Sequence, residues 1–139
     1  MSMAYLLDTN VVSELRKKHR CHPNVAGWQA RIAGEPVFIS AIAMMEIRHG
    51  ILSARRKNPE FSEILERWYQ MQVKPSFHNR VLPVNLAIAE RCAVFLSHRT
   101  HNLADALIAA TSAVHGLVLA TRNTSDFADT GIALVDPWE

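Results

Sequence analysis

The chain has 139 residues, 49% of them apolar, and its 15 basic and 13 acidic side chains leave a formal charge of +2. That length predicts a single domain over residues 1–139 with a sizeable core, and the charge permits a nucleic-acid partner without demanding one. Two cysteines, Cys21 and Cys92, exclude a disulfide framework. The longest apolar stretch, Leu103 to Ala120, is interrupted by Asp105, His115 and Gly116, and no basic leader precedes the first apolar run, so a reduced, cytoplasmic setting away from any membrane is expected.

Ala4-Tyr5-Leu6-Leu7 reads as a strand apolar on both faces, of the kind that helices cover in a parallel sheet. It runs into Asp8-Thr9-Asn10 at its carboxyl end, where open α/β sheets place their ligands; Asp8 is equally suited to cap the helix that follows. Val11 to Leu15 reads as that helix, ending in Arg16-Lys17-Lys18-His19-Arg20. Pro23 suits the first turn of a second helix to about Ala33, before Gly34-Glu35-Pro36. Val37 to Ser40 is a second strand. A third helix follows from Ala41 to about Ala54, with a stripe of Ile42, Met45, His49 and Leu52 expected to face the core. Asn58-Pro59-Glu60 opens a fourth, whose Phe61, Ile64, Leu65, Trp68 and Met71 are expected to be core. Val81-Leu82-Pro83-Val84 is a third strand with the proline of a sheet edge. Ala87 to Ser97 is helical, with Ile88, Cys92 and Phe95 on one face, and His98 and His101 lie a turn apart only if that helix continues. Asn102 to His115 is a helix closed by Gly116. Leu117 to Thr121 and Ile132 to Val135 are the last strands. The alternation predicts an α/β fold, a central parallel sheet of four to five short strands flanked by helices.

Four acids fall at telling places. Glu46 lies beside the expected apolar stripe of the third helix, where a carboxylate is costly unless paired or bound to a cation. Asp105 suits a capping arrangement after Asn102 and the positive end of the helix dipole, but Ala106-Leu107-Ile108-Ala109-Ala110 is apolar all round, so that helix starts inside the molecule. Asp126 follows the fourth strand through Thr121-Arg122-Asn123-Thr124-Ser125 and suits a first helical turn. Each has a plain explanation alone; together, Asp8, Asp105 and Asp126 fall at strand ends or helix starts and Glu46 follows the second strand by six residues, so all four can meet at one sheet edge. Clustered carboxylates repel one another, and oxygen-only ligation fits Mg²⁺ or Mn²⁺, ions that activate water and stabilise a phosphodiester under attack. Arg16, Lys17, Lys18, Arg55, Arg56 and Lys57 are candidate RNA phosphate contacts, against their plainer reading as solvated faces. His19, Cys21 and His22 lack zinc spacing, and no nucleophilic Ser or Cys set or glycine-rich phosphate loop is present.

Leu6-Leu7-Asp8-Thr9-Asn10, Ile39-Ser40 with Glu46-Ile47-Arg48-His49-Gly50, Ala104-Asp105-Ala106-Leu107-Ile108-Ala109-Ala110-Thr111, Thr121 to Phe127 and the closing Asp136-Pro137-Trp138 together carry a resemblance over nearly the whole chain. In these stretches it resembles the PIN-domain ribonucleases of the VapC and FitB type, toxins of type II toxin–antitoxin systems. The resemblance implies a PIN-like fold and an endoribonuclease dependent on Mg²⁺ or Mn²⁺. Asp8 and Asp105 match the principal metal ligands, Glu46 the third acid and Asp126 the fourth; some relatives carry that acid where this chain has Asn123. Thr9, Asn10, Thr121 and Asn123 match polar positions near the metal, implied to contact water or substrate. It also implies a cognate VapB-like antitoxin whose tail crosses the acidic site, a groove for it between the early helices and the Trp68 helix, homodimers, and operator DNA bound through the antitoxin. Two rivals remain at this point. A haloacid-dehalogenase-like phosphatase needs a second aspartate where this chain has Asn10, and a non-catalytic PIN-like module would use the acids only for partner contacts.

Overall fold

The computed structural model describes residues 3–100 and 102–139. Along the chain run β1 (Tyr5–Leu7), α1 (Thr9–Leu15), α2 (Pro23–Arg31), β2 (Val37–Ser40), α3 (Ala41–Lys57), α4 (Pro59–Trp68), α5 (Lys74–Ser76), β3 (Val81–Leu82), α6 (Leu86–His98), α7 (Leu103–His115), β4 (Val118–Ala120) and β5 (Leu134–Val135). A wide π turn, Tyr69–Val73, joins α4 to α5, and 3-10 turns cover Lys18–Arg20 and Thr124–Thr130. α6 ends at His98, and His101 lies outside the described residues.

Among the described residues the strands form a five-stranded sheet in the order β3-β2-β1-β4-β5, every pair parallel. The predicted α/β architecture is therefore present, with the proline-flanked β3 at an edge as expected. β1 lies in the middle: Tyr5 pairs with Val37 on one side and Val118 on the other, and Leu7 with Ala120. The chain builds outward from β1 through β2 to β3, then crosses back to lay β4 on the opposite side. That reversal opens a crevice at the carboxyl ends of β1 and β4. Leu6, Ile39 and Leu119 on the three central strands have no solvent exposure, each worth about 1.5–3 kcal/mol of burial.

α7 supplies the tightest helix packing. Ala106, Ile108, Ala109, Ala110, Thr111 and Ser112 are all buried, and the short side chains let α6 bring Ile88, Cys92 and Phe95 against it. Asn102 caps its start by accepting the Asp105 N–H. Gly116 ends it at φ +65°, a left-handed conformation that a side chain would strain, while the Leu117 N–H donates back to the Ser112 carbonyl at 2.9 Å.

Two expectations about facing are corrected. On α3 the buried residues are Ala43, Ile47 and Ile51, whereas Met45 is 51% and Leu52 43% exposed and His49 is exposed. Hydrophobicity alone favoured the larger Ile42, Met45 and Leu52, but the helix turns its small Ala43 toward the sheet, where close approach matters more than bulk. On α4, Phe61, Ile64 and Met71 just beyond it are exposed, with only Leu65 and Trp68 packed on the core. The contact with α3 is made by buried Ser62, whose hydroxyl donates to the Ile51 carbonyl at 2.9 Å. A small polar residue thus fits between the two helices, and Phe61 is left outside while Trp68 packs on the core.

Candidate active site

Each strand end at the crevice hands over to a side chain with chemistry. Leu7 ends β1, and the next residue, Asp8, is only 6% exposed. Its backbone N–H continues the sheet ladder by donating to the Ala120 carbonyl at 2.9 Å. Its carboxylate is held at both oxygens: Oδ1 accepts the Thr9 N–H at 2.8 Å and Oδ2 accepts the Thr121 hydroxyl at 2.8 Å. Asp8 therefore caps α1 and lines the crevice at once; the two readings of the sequence are compatible. Burial pushes its carboxyl above the ordinary carboxylate range and the charge of Asp126 pushes the same way, against the two hydrogen bonds that favour the ionised form.

Thr121, the residue after β4, is fully buried. Its hydroxyl donates its one proton to Asp8 and accepts the Asn123 N–H at 3.1 Å and the Asn10 amide at 3.4 Å. Donor and both lone pairs are engaged, so Thr121 faces Asp8 and not the solvent where a substrate would lie. Asn10 is committed as well, its Oδ1 accepting the Arg122 N–H at 3.3 Å. Asn123 is exposed, and its part here is played by its backbone. Removing the hydroxyl by Thr121→Val should cost about 1–3 kcal/mol of stability, because Asn10 and the Asn123 N–H lose their acceptor. It should also lower the turnover of any reaction at Asp8, and Thr121→Ser should restore it; chemical denaturation and initial rates measure the two effects.

Ser40, at the end of β2, caps α3 by accepting the Ile42 N–H. The second turn of α3 carries Glu46, half-buried, whose Oε1 accepts the Thr9 hydroxyl at 2.9 Å. Glu46 is thus paired, as its position required, by the hydroxyl of the threonine adjoining Asp8. Asp105 sits half-buried in the first turn of α7, a helix packed against both α3 and the Thr124–Thr130 turn. Asp126 lies in the first turn of that segment and is exposed. Arg99, a residue without a sequence signal, pins this turn: its guanidinium donates to Asp129 Oδ2 at 2.6 Å and to the Asp126 carbonyl at 3.1 Å.

The donors at this edge are all oxygens, and a buried carboxylate whose neighbour's negative charge raises its proton affinity suits a hard divalent cation. Among the described residues no three His, Cys, Asp or Glu side chains are grouped so as to hold a metal ion.

The basic clusters separate into paired and unpaired charges. Lys17 bridges Glu14 at 3.0 Å, Arg55 reaches Glu66 at 3.6 Å beside the Arg48–Glu66 pair, and Arg16 lies over the Phe61 ring, 5.5 Å from its centroid. Among the described residues Lys18, Arg56 and Lys57 have no side-chain partner. A groove of about 330 Å³ runs between α1, α2 and the end of α4, lined by Leu7, Val12, Arg16, Trp28, Trp68 and Phe77 among others. No described helix is long and apolar enough to cross a membrane.

Comparison with known proteins gives the same picture. Toxin FitB of Neisseria gonorrhoeae is 36% identical over 143 residues, covering 96% of this chain and 97% of that protein. VapC ribonuclease Y4jK of Sinorhizobium fredii is 35% identical over 141 residues, covering 96% and 97%. The solved structure of FitAB bound to an IR36 DNA fragment superposes with a TM-score of 0.83 at 31% identity, covering 97% of this chain and 96% of that one. The family profile described as PIN domain matches residues 5–133, nearly the whole α/β sheet and all four acids, and the chain belongs to the PIN domain family.

Proposed function

We propose that the chain is an endoribonuclease, the toxin of a type II toxin–antitoxin system, and that it acts with a divalent metal. The observation that carries the reading is the buried Asp8 carboxylate at the end of the central strand, fixed at both oxygens, joined to Glu46 through Thr9 and under the charge of Asp126. The likeness to a VapC ribonuclease and to Toxin FitB supports RNA as the substrate. Asp8, Glu46, Asp105 and Asp126 would hold Mg²⁺ or Mn²⁺, which when bound lowers the pKa of a water and offsets phosphate charge. The chain's own residues do the rest. Thr9 N–H and Thr121 hold Asp8 in one rotamer, so its oxygens need no reorganisation as charge develops. The Thr9 hydroxyl orients Glu46 through Oε1, leaving Oε2 to accept a proton from the attacking water. Asn10, bound to Thr121 and the Arg122 N–H, does not serve as the general acid that a phosphatase reading would require.

Attack by water leaves a 5′-phosphate and a 3′-hydroxyl on the cut RNA. Attack by the RNA's own 2′-hydroxyl would leave a 2′,3′-cyclic phosphate and would fail on a substrate deoxygenated at the cleavage position. Ligation mapping of product ends should show 5′-phosphates and loss of cleavage on chelation; cyclic ends formed without added metal overturn the mechanism.

An antitoxin partner, and operator DNA reached through it, follow from the likeness to the DNA-bound FitAB assembly. The groove between α1, α2 and the end of α4 is the receiving surface for an antitoxin segment, and a basic side chain of that partner would occupy the carboxylates in place of cation. The exposed Met45 and Leu52 of α3 offer apolar surface for the homodimer.

A further inference from the structure

We infer that Arg122 is an RNA-binding residue of the cleavage site, held over the Trp138 ring to take a phosphate beside the acids, and that the ring also keeps its guanidinium off those acids. The inference rests on the ribonuclease reading and adds to it a substrate contact. The sheet register places both residues. Leu7 on β1, Ala120 on β4 and Val135 on β5 lie in register across three neighbouring strands. The next residues out are Asp8 on the first, Thr121 and Arg122 on the second, and Asp136 to Trp138 on the third. The strands are parallel, so these residues leave the sheet at one edge, with β5 about 10 Å from β1. The Arg122 N–H donates to Asn10 Oδ1 at 3.3 Å, and its neighbour Thr121 donates to Asp8 Oδ2 at 2.8 Å. Its backbone is thereby fixed into the network that holds the carboxylate. Its guanidinium carbon lies 5.2 Å from the centroid of the Trp138 ring.

The chain end is docked without the arginine. The Trp138 N–H donates to Asp136 Oδ1 at 2.8 Å, its carbonyl accepts the Asn24 amide at 2.6 Å, and its side chain is half-buried against the core. Nor does a helix dipole account for the charge. Arg122 precedes the Thr124–Thr130 turn, and the start of a helical segment favours anions over cations. Among the described residues its guanidinium meets no carboxylate and no hydrogen-bond acceptor. Arg99, by contrast, is taken up by Asp129 and the Asp126 carbonyl. An exposed ion pair and an exposed cation–π contact are of the same small order, so the ring suffices to hold Arg122 away from the carboxylates. The acids stay open for a cation, and the planar fork of N–H donors remains for an incoming phosphate. Clustered acids repel RNA, and a fixed arginine at their rim offsets that repulsion where the strand enters. Such a contact sets affinity and position and carries no base information.

The test uses full-length toxin free of antitoxin, a short mixed-sequence single-stranded RNA, and two readouts besides cleavage: salt-dependent RNA binding in chelator, and Mn²⁺ calorimetry without RNA. Arg122→Gln should raise KM about tenfold with kcat changed far less. It should lower the slope of log affinity against log salt by about 0.7, one phosphate contact on a single strand. Arg122→Lys should keep the slope and recover KM only in part. Arg31→Gln, at the far end of α2 from Asn24, should alter neither. Trp138→Leu keeps an apolar side chain at the core and removes the ring. It should weaken Mn²⁺ binding about threefold by releasing the guanidinium onto the acids, and adding Arg122→Gln should abolish that loss. Trp138→Phe, which keeps a ring, should bind Mn²⁺ as the original does. An unchanged salt slope and KM in Arg122→Gln overturns the contact while the nuclease stands. Equal loss of Mn²⁺ affinity in Trp138→Leu with and without Arg122 shows the ring acting through the fold alone, and overturns its part. If the unaltered protein binds this RNA but leaves it uncut once Mn²⁺ is added, the ribonuclease reading falls, and the salt slope alone decides the contact.

Discussion

Asp8→Asn should remove RNA cleavage, by about three orders of magnitude or more, while leaving the protein folded and at least as stable as the original. The size follows from the several kcal/mol of transition-state stabilisation that a metal-binding carboxylate contributes at such a site, each 1.36 kcal/mol being tenfold in rate. The stability follows from the burial of the charge. In the folded chain the Asp8 carboxyl titrates above its ordinary value of 3.8, chiefly through burial, so the folded state binds the proton more tightly than the unfolded chain does. The stability this group contributes is present below about pH 3.8 and is lost as pH rises through the folded value. At neutral pH the ionised form is a net cost. Asparagine loses about 1 kcal/mol of hydrogen bonding, since its amide meets a Thr121 hydroxyl already supplied with donors, but removes the buried charge. Denaturant titrations in chelator at several pH values should show the original protein losing stability against Asp8→Asn as pH rises from about 4 to 7. A variant that still cuts RNA at the original rate would remove Asp8 from the chemistry.

Trp68→Ala should separate inhibition from catalysis. Trp68 is half-buried on the wall of the groove that Trp28 also lines, and the hydrogen bonds that fix the Asp8 carboxylate do not involve it. Aromatic anchors in such grooves cost 2 kcal/mol or more when truncated, about thirtyfold or greater in affinity. Calorimetry with the antitoxin's carboxyl-terminal segment should register that loss, with Trp68→Phe between the two, while free toxin cuts RNA as before. Cells carrying the variant beside an intact antitoxin should show toxicity. Unchanged antitoxin affinity would place the partner on another surface.

The parts of the fold legible in the sequence are those with local causes. Tyr5-Leu6-Leu7 ending in Asp8 announces a buried strand meeting a site, and Asn102 and Gly116 mark α7 through capping and left-handed geometry. The same reading put Asp8, Asp105 and Asp126 at element ends and Glu46 six residues past the second strand. What escaped it is set by packing between elements distant in sequence. Which stripe of α3 is buried depends on how closely α3 must approach the sheet and α4, so Ala43 and Ser62 outweigh Met45 and Phe61. Thr121 reads as a polar residue after a strand, and only the pairing of β1 with β4 turns it inward onto Asp8. Arg99 has no motif, because the turn it pins lies thirty residues further along the chain and the spacing carries no period.

The pairing of β1 with β4 also sets when, during synthesis of the chain, the site becomes complete. Asp8 leaves the ribosome early, but its alignment needs Ala120 and Thr121, more than a hundred residues later, and Trp138 then closes over the site's rim through the Asn24 amide and the Arg122 guanidinium. A nascent chain carries three of its four acids without the strand that orders the first of them. A product that stops before β4 lacks Ala120 and Thr121 and so cannot hold Asp8 in this arrangement, which makes the last twenty residues, and not the first ten, the step that completes the site.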